Sequence, residues 1–327
     1  MNDTTIEPQR PTMAEARQRI GTVERTRLLA WSTPAPLRLL ALTVAEWVLI
    51  LCAAGMAIQA ESIFATLLAI LFIGTRQHAL LILMHEFSHR QFSRTRPVLN
   101  DTLGDLLTAL PFTITLFGFR RDHTAHHLHT ATDRDPNWVS CKGQERFTFP
   151  KSTLDMLGLL LKHGIGLYTL HEFKTALVTS RMASQCPPST HYRQWIFAIA
   201  VAALLTGFNL WLAVAVYWLL PMFTVLMVLL YWRDVAEHFA IAQPEHDVSR
   251  TVIAPWWERL LIAPHGVGFH AEHHLYPAVP GFRLAQVHAA LMEDEAYLQR
   301  AHVTRGYCTG LIREVSASIN VSSSARN

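Results

Sequence analysis

Two apolar stretches, residues 39–58 and 63–84, each run for about the 20 residues that a helix needs to cross the hydrocarbon core of a bilayer. Lipid offers no hydrogen bonds to a bare backbone, so a segment that crosses it must satisfy its own amide groups and becomes a helix. Only the short polar break at residues 59–62 separates the two stretches, which makes them an antiparallel hairpin. Residues 195–205 and 210–230 repeat the pattern around a break at residues 206–209, with a short first arm. Composition agrees: 50% of the residues are hydrophobic and 16% charged, against about 25% charged in a typical soluble domain. The expected fold is an all-α integral membrane protein with four transmembrane helices.

The remaining segments are polar or interrupted. Residues 103–119 are apolar but contain Gly104, Asp105, Pro111 and Gly118, which predicts an amphipathic or re-entrant element rather than a crossing. Residues 120–150 are rich in His and Asp, and residues 154–170 have the helical apolar spacing of a segment lying along the membrane surface. The N-terminal segment, residues 1–36, is charged, with helix expected around residues 13–31 and no cleaved signal peptide. The serine-rich last dozen residues are expected to be disordered. The expected organisation is an N-terminal segment 1–36, a catalytic domain 37–291 and a C-terminal tail 292–327.

Four crossings put both termini and the middle loop on one side. The two short breaks carry no Lys or Arg, whereas the N-terminus and middle loop carry Arg17, Arg19, Arg25, Arg27, Arg90, Arg94, Arg96, Arg120 and Arg121. Cationic loops stay in the cytosol, so both termini and the middle loop are expected there. A net charge of +3 is too small to point to nucleic acid. The four cysteines are scattered without a CxxC pair, which excludes a zinc ribbon and a disulfide framework.

Histidine is the compositional outlier, with 18 copies. Eight fall into three short motifs: His85-Glu86-Phe87-Ser88-His89, His123-Thr124-Ala125-His126-His127 and His270-Ala271-Glu272-His273-His274. At this histidine frequency one HxxHH is expected by chance in about one such chain in twenty, so two copies beside an HxxxH are not a coincidence. On a helix, residues three and four apart share a face, and the expected topology puts all three motifs on the cytosolic side, where they can converge.

Eight neutral imidazoles exceed the four ligands of structural zinc. Two ions with about four protein ligands each fit the count, and imidazole suits Zn, Cu, Fe and Ni. His238, just past the last apolar stretch, is a ninth candidate ligand, with Asp234 one turn earlier. His129 lies off the shared face and is left out. Carboxylates that could hold the far nitrogen of a ligating histidine are Glu86, Asp122, Asp135, Glu237 and Glu272.

The motifs HEFSH, RRDHTAHHLHTATDRDP, RDVAEH and FHAEHHLYPAVPGF follow one another in that order. In this the chain resembles the membrane fatty acid desaturase superfamily, which includes related hydroxylases and ketolases, from about His85 to Leu291. The resemblance implies a cytosolic helical cap over four membrane helices and a dimetal site with two iron ions. It further implies an O2-dependent oxidation of a lipid or acyl-chain substrate, desaturation first and hydroxylation or ketolation as the alternative. Two electrons per turnover would come from an external electron carrier of ferredoxin, rubredoxin or cytochrome b5 type, since no His-Pro-Gly-Gly haem motif occurs. Many acyl-CoA members of the superfamily have HxxxxH as the first motif. HxxxH, found here, resembles acyl-lipid, sphingolipid and carotenoid-modifying members and weighs against an acyl-CoA substrate.

Two rivals use fewer of the residues. HEFSH also satisfies the HExxH of zinc proteases, but that leaves both HxxHH motifs idle. A metal transporter would string its ligands along the membrane path rather than gather them at one end. Trp47, Phe64, Phe72, Trp211, Tyr217 and Phe223 are candidates to line an apolar tunnel for the substrate. Finally, Glu46 and Arg76 both lie roughly 10–12 Å inside the cytosolic ends of the first two helices. Intramembrane charges pair, so a Glu46–Arg76 ion pair is expected.

Overall fold

The computed structural model describes residues 23–169, 188–241 and 249–316. Chain residues before 23 lie outside these, so the helix expected around residues 13–31 is described only as α1 (Arg25–Trp31). The serine-rich end also lies outside the described residues.

The first hairpin is formed by α2 (Pro36–Ala60) and α3 (Ile63–Ser88). Pro36 starts α2 at the position where its missing N–H is no loss, and Glu61, with φ of 46°, ends it in the left-handed conformation. Ile50, Ala53 and Ala57 of α2 meet Ala69 and Ile73 of α3 in one apolar core. Small side chains there let the two backbones approach closely, the usual basis of helix pairing in lipid. Along α3 the surroundings change. Ile63, Phe64, Leu67, Leu68 and Leu71 are exposed, while nearly every residue from Ile73 to Ser88 is buried. Exposed leucine and phenylalanine in such numbers make an outward apolar face suited to lipid or a partner, so α3 divides into an outward half and a half wrapped by the rest of the chain.

α4 (Pro97–Gly104) runs on through short π and 3-10 turns to Phe112, and the chain then bends by 90° into α5 (Leu116–His129). Thr115 caps α5 by accepting the Gly118 amide at 3.1 Å. The interruption expected over residues 103–119 is this corner. α6 (Pro136–Cys141) and α7 (Thr153–Gly164) follow. α7 buries Met156, Leu159 and His163 and exposes Leu154, Leu157 and Leu161.

α8 (Pro188–Gly207) and α9 (Trp211–His238) form the second hairpin, turned at Asn209, whose φ of 52° suits an asparagine. Of four expected crossings, three helices among the described residues are long and apolar enough: α2, α3 and α9. α8 falls short because His191, Arg193 and Gln194 occupy its first turns. α9 contacts α3 through Gly74. A β-carbon there would lie 2.4 Å from the Val225 side chain, so only glycine allows this crossing.

The last part of the chain is short elements: β1 (Thr251–Ile253), α10 (Trp256–Leu261), α11 (His270–Leu275), α12 (Leu284–Leu291), β2 (Val303–Arg305) and α13 (Ile312–Ser316). β1 and β2 pair in parallel, Thr251 opposite Val303, and are the one departure from an all-α fold among the described residues. Arg250, whose side chain is fully buried, donates to the carbonyls of Val235, Ala236 and Ala240 and pairs with Glu314 at 3.3 Å. It thereby ties the C-terminal end of α9, and His238 with it, to the end of the chain.

The expected Glu46–Arg76 ion pair is present. Arg76 lies 3.3 Å from Glu46, with side chains 2% and 6% exposed. The pair also has a wider reach than two helices. Arg76 donates to the carbonyl of Leu260 on α10, and Glu46 faces His265 at 2.9 Å.

Candidate metal centre

The end of α3, the length of α5, the end of α9 and the whole of α11 meet in one place. Their imidazole nitrogens form two groups, each with all its nitrogens within 4.8 Å of one another. One holds His85, His89, His123, His127 and His273, the other His126, His238, His270 and His274. All nine candidate histidines are brought together, and His129 lies outside both groups.

Helical geometry explains the division. Consecutive residues on an α-helix point about 100° apart, so the two neighbours of an HH pair cannot serve one centre. His123 and His127, one turn apart on α5, go to the first group and His126 to the second. On α11 the same spacing sends His270 and His274 to the second group and His273 to the first. Each HxxHH motif therefore bridges two centres, and the sequence expectation of about four ligands each becomes five and four.

The separations fit a shared ion. In the first group His85–His273, His89–His123 and His123–His127 are 2.9 Å apart between Nε2 atoms, and His127–His273 3.0 Å. In the second, His238–His270 is 2.9 Å, His270–His274 3.0 Å and His126–His274 3.2 Å. Nitrogens about 2.1 Å from one ion and at right angles would lie about 3.0 Å apart. Imidazoles facing nitrogen to nitrogen with no ion between them have at most one proton to share, so a metal is the natural occupant. Burial, reinforced by the neighbouring histidines, holds His270, His273 and His274 well below the usual imidazole range. They are neutral at pH 7, the form that binds metal.

The supporting groups differ from expectation in part. Asp135 receives Nδ1 of His126 at 2.9 Å. Burial works to raise this carboxyl, but the hydrogen bonds from His126 and the Ala131 amide outweigh it and hold it below its usual range. With Nδ1–H donated to Asp135, Nε2 keeps its lone pair for the centre. Glu237 lies 3.4 Å from Nδ1 of His270 and is braced by Arg233 at 2.6 Å. Thr130, which the motifs gave no reason to single out, lies 3.4 Å from Nδ1 of His274. Glu86 is 3.7 Å from Nδ1 of His85, too far for a hydrogen bond, and instead accepts the Gly281 amide at 3.0 Å.

Two proposed carboxylates hold other things. Asp122 pairs with Arg121 at 2.8 Å. Glu272, fully buried, accepts from Thr251, Tyr297 and His288 at 2.6–2.7 Å and so fixes α11 from behind. Asp234 is not among the side chains that form either histidine group.

Asp135→Asn is expected to lower metal affinity about 10–100-fold while leaving the fold intact, since the partner of a ligating histidine is worth that much. Equilibrium competition with a chelator measures it, and an unchanged affinity would remove Asp135 from the centre.

A cavity of about 470 Å³ opens beside the centre, lined by residues from the first turns of α2 and by α10. None of the six aromatic residues expected to line a tunnel reaches it. Trp47 is used in packing, stacked on Trp218 at 5.1 Å and donating to the Leu107 carbonyl, while Phe64 and Trp211 are exposed on the apolar outer face. The cavity narrows where Gly266 meets Gly281. A β-carbon on Gly266, whose φ is 85°, would lie 2.4 Å from the Gly281 carbonyl oxygen. Gly266→Ala is expected to cost about 1–3 kcal/mol in stability from backbone strain and overpacking, read as a fall in thermal midpoint. A midpoint equal to wild type would show that the neck is not tight.

Sequence comparison bears on what this centre is for. The fatty acid desaturase family model matches residues 61–306. A dihydrorhizobitoxine desaturase of Bradyrhizobium elkanii is 25% identical over 247 residues, covering 72% of this chain and 70% of its own. An sn-1 oleoyl-lipid 12-desaturase of Anabaena variabilis is 24% identical over 247 residues, covering 69% of each chain. An sn-1 acyl-lipid omega-3 desaturase (ferredoxin) of Nostoc sp. (strain 36) is 24% identical over 248 residues, covering 67% and 65%.

Proposed function

The chain belongs to the fatty acid desaturase family, and from that premise we propose that it is an O2-dependent desaturase that introduces a double bond into a fatty acyl or similar lipid chain. The observation that carries this reading is the pair of adjoining all-histidine groups knitted together by the two HxxHH helices. Two iron ions bound there would supply the O2 activation and oxidising power needed to remove hydrogen from two adjacent unactivated carbons. Zinc and copper also accept imidazole, but zinc has no redox chemistry and cannot use electrons. Two electrons per turnover come from an external carrier of ferredoxin, rubredoxin or cytochrome b5 type. The name of the Nostoc relative favours ferredoxin.

The chain's own residues act by holding and excluding. Asp135 fixes the ring of His126, and Glu237 with Arg233 backs His270. His126, His238, His270 and His274 are at most 6% exposed, whereas His89, His123 and His127 are only partly buried. The second group is thus shielded from water, and the first lies nearer the surface that an electron carrier can reach. We place the four membrane crossings, the cap and both termini as the arginine distribution directs, with the centre in the cytosol.

A zinc protease reading of HEFSH is disfavoured by Glu86, which is turned to the Gly281 amide rather than to an open water site. Hydroxylation or ketolation on the same ligands differs only in where the chain lies relative to the oxidant. The test is mass spectrometry of lipids from cells expressing wild type and His273→Ala. New unsaturated chains in the wild type alone are expected. Oxygen-bearing products would replace desaturation by hydroxylation or ketolation.

A further inference from the structure

The cavity beside the centre has a polarity that its position explains. Its exposed lining residues, Arg38, Trp256, Arg259, Leu260 and Ala285, form the mouth. Its buried lining residues include Leu39, Leu83 and Ala263, which are apolar, and Glu86. The inner end shares Glu86, His265, Gly266 and Gly281 with a smaller cavity lined by His85, His270 and His273. The cavity thus leads from two arginines at the surface, past a largely apolar wall, to residues that also border the histidines.

Neither arginine is used by the fold as a charge. Among the described residues, Arg38 and Arg259 make no ion pair; Arg38 lies over the Phe282 ring at 4.0 Å, which leaves its outer edge open. Arg38 stands in the first turn of α2, and Arg259 on α10 between the exposed Trp256 and Leu260. Tryptophan, leucine and arginine together at a helix surface mark the head-group level of a bilayer.

We infer that this cavity takes an amphiphile with an anionic head group, carboxylate or phosphate, head-out on Arg38 and Arg259 and chain-in toward the histidines. The direction follows from the lining: the two guanidinium groups stand at the mouth, and Leu39, Leu83 and Ala263 lie further in. The inference deepens the desaturase reading and rests on it only for what happens to the chain after binding.

The test is binding without turnover. Full-length protein in detergent is titrated with radiolabelled palmitate, with palmitoyl lysophosphatidate and with hexadecanol, which has the same chain length and no charge. Charge-assisted hydrogen bonds predict that Arg38→Gln combined with Arg259→Gln weakens the anionic probes about 10–100-fold. Hexadecanol binding is expected to stay at the wild-type value, and the double lysine variant to recover part of the loss. Leu42→Trp, which fills the cavity, is expected to weaken all three probes. A response from palmitate alone assigns a free acid, from lysophosphatidate alone a phospholipid, and from both an anionic head of either kind. Equal effects of the arginine substitutions on all probes, or palmitate binding untouched by Leu42→Trp, would overturn the inference. Arginine-dependent binding with no alkene formed in cells would instead count against the desaturase reading alone.

Discussion

His274→Ala is expected to abolish product formation and to reduce the metal held by the purified protein from about two ions to about one or fewer. His274 is the ring most deeply set in the second group, 1% exposed, and meets both His126 and His270 through Nε2. Its removal leaves three imidazoles, one of them His238 at the end of α9. It also opens a buried hole beside His127, whose ring centre lies 4.4 Å away, so the first group feels the loss as well. Because metal affinity is shared among ligands that must all be neutral and in place, the effect exceeds that of losing one of several equal contacts. Metal analysis beside a turnover assay measures it. Two ions retained in an inactive protein would mean that His274 serves another purpose; two ions and full activity would dissolve the second group.

The second large effect concerns the fold. Glu46→Gln is expected to lower stability by about 3–5 kcal/mol, the cost of leaving a buried charge without its partner. Arg76 is 2% exposed and has no water to turn to. Its remaining hydrogen bonds, to the Leu260 carbonyl and the Thr75 hydroxyl, do not neutralise it. The same substitution removes the charge facing His265, so α10 and the loop before α11 loosen together with the α2–α3 hairpin. Thermal unfolding in detergent reads the loss. The double variant Glu46→Gln, Arg76→Gln is expected to be less damaged than the sum of the two single variants, because the stranded charge is gone. Single variants as stable as wild type would show that the pair is not structural.

Much of this could be read from the chain before any coordinates. The two long hairpin arms follow from length and hydropathy, and the Glu46–Arg76 pair from two charges at equal depth on neighbouring helices. The nine histidines follow from spacing and from the side on which the motifs fall. Their sorting into five and four was within reach as well, because the 100° step between His126 and His127, or His273 and His274, forbids a common centre. The supporting carboxylates were harder. Adjacency along the chain says nothing about direction, and Asp122 and Glu272 both point away from the rings beside them in sequence. Asp135, nine residues from His126, reaches it because the turn at residues 130–135 folds back. Thr130 and Gly281 come from tertiary approach alone and left no local signal. The cavity beside the centre was not foreseen for a similar reason. Aromatics in the membrane helices suggested a tunnel among them, whereas the space lies between α2 and α10, segments far apart in sequence.

The measurement that bears most directly on the central claim uses purified, iron-loaded protein with a reduced carrier, O2 and a perdeuterated acyl chain. Mass spectrometry of the product is predicted to show the loss of two deuterium atoms from adjacent carbons, no oxygen gained, and no conversion without O2. A product that has exchanged one deuterium for a hydroxyl, or conversion that proceeds without O2, would contradict it.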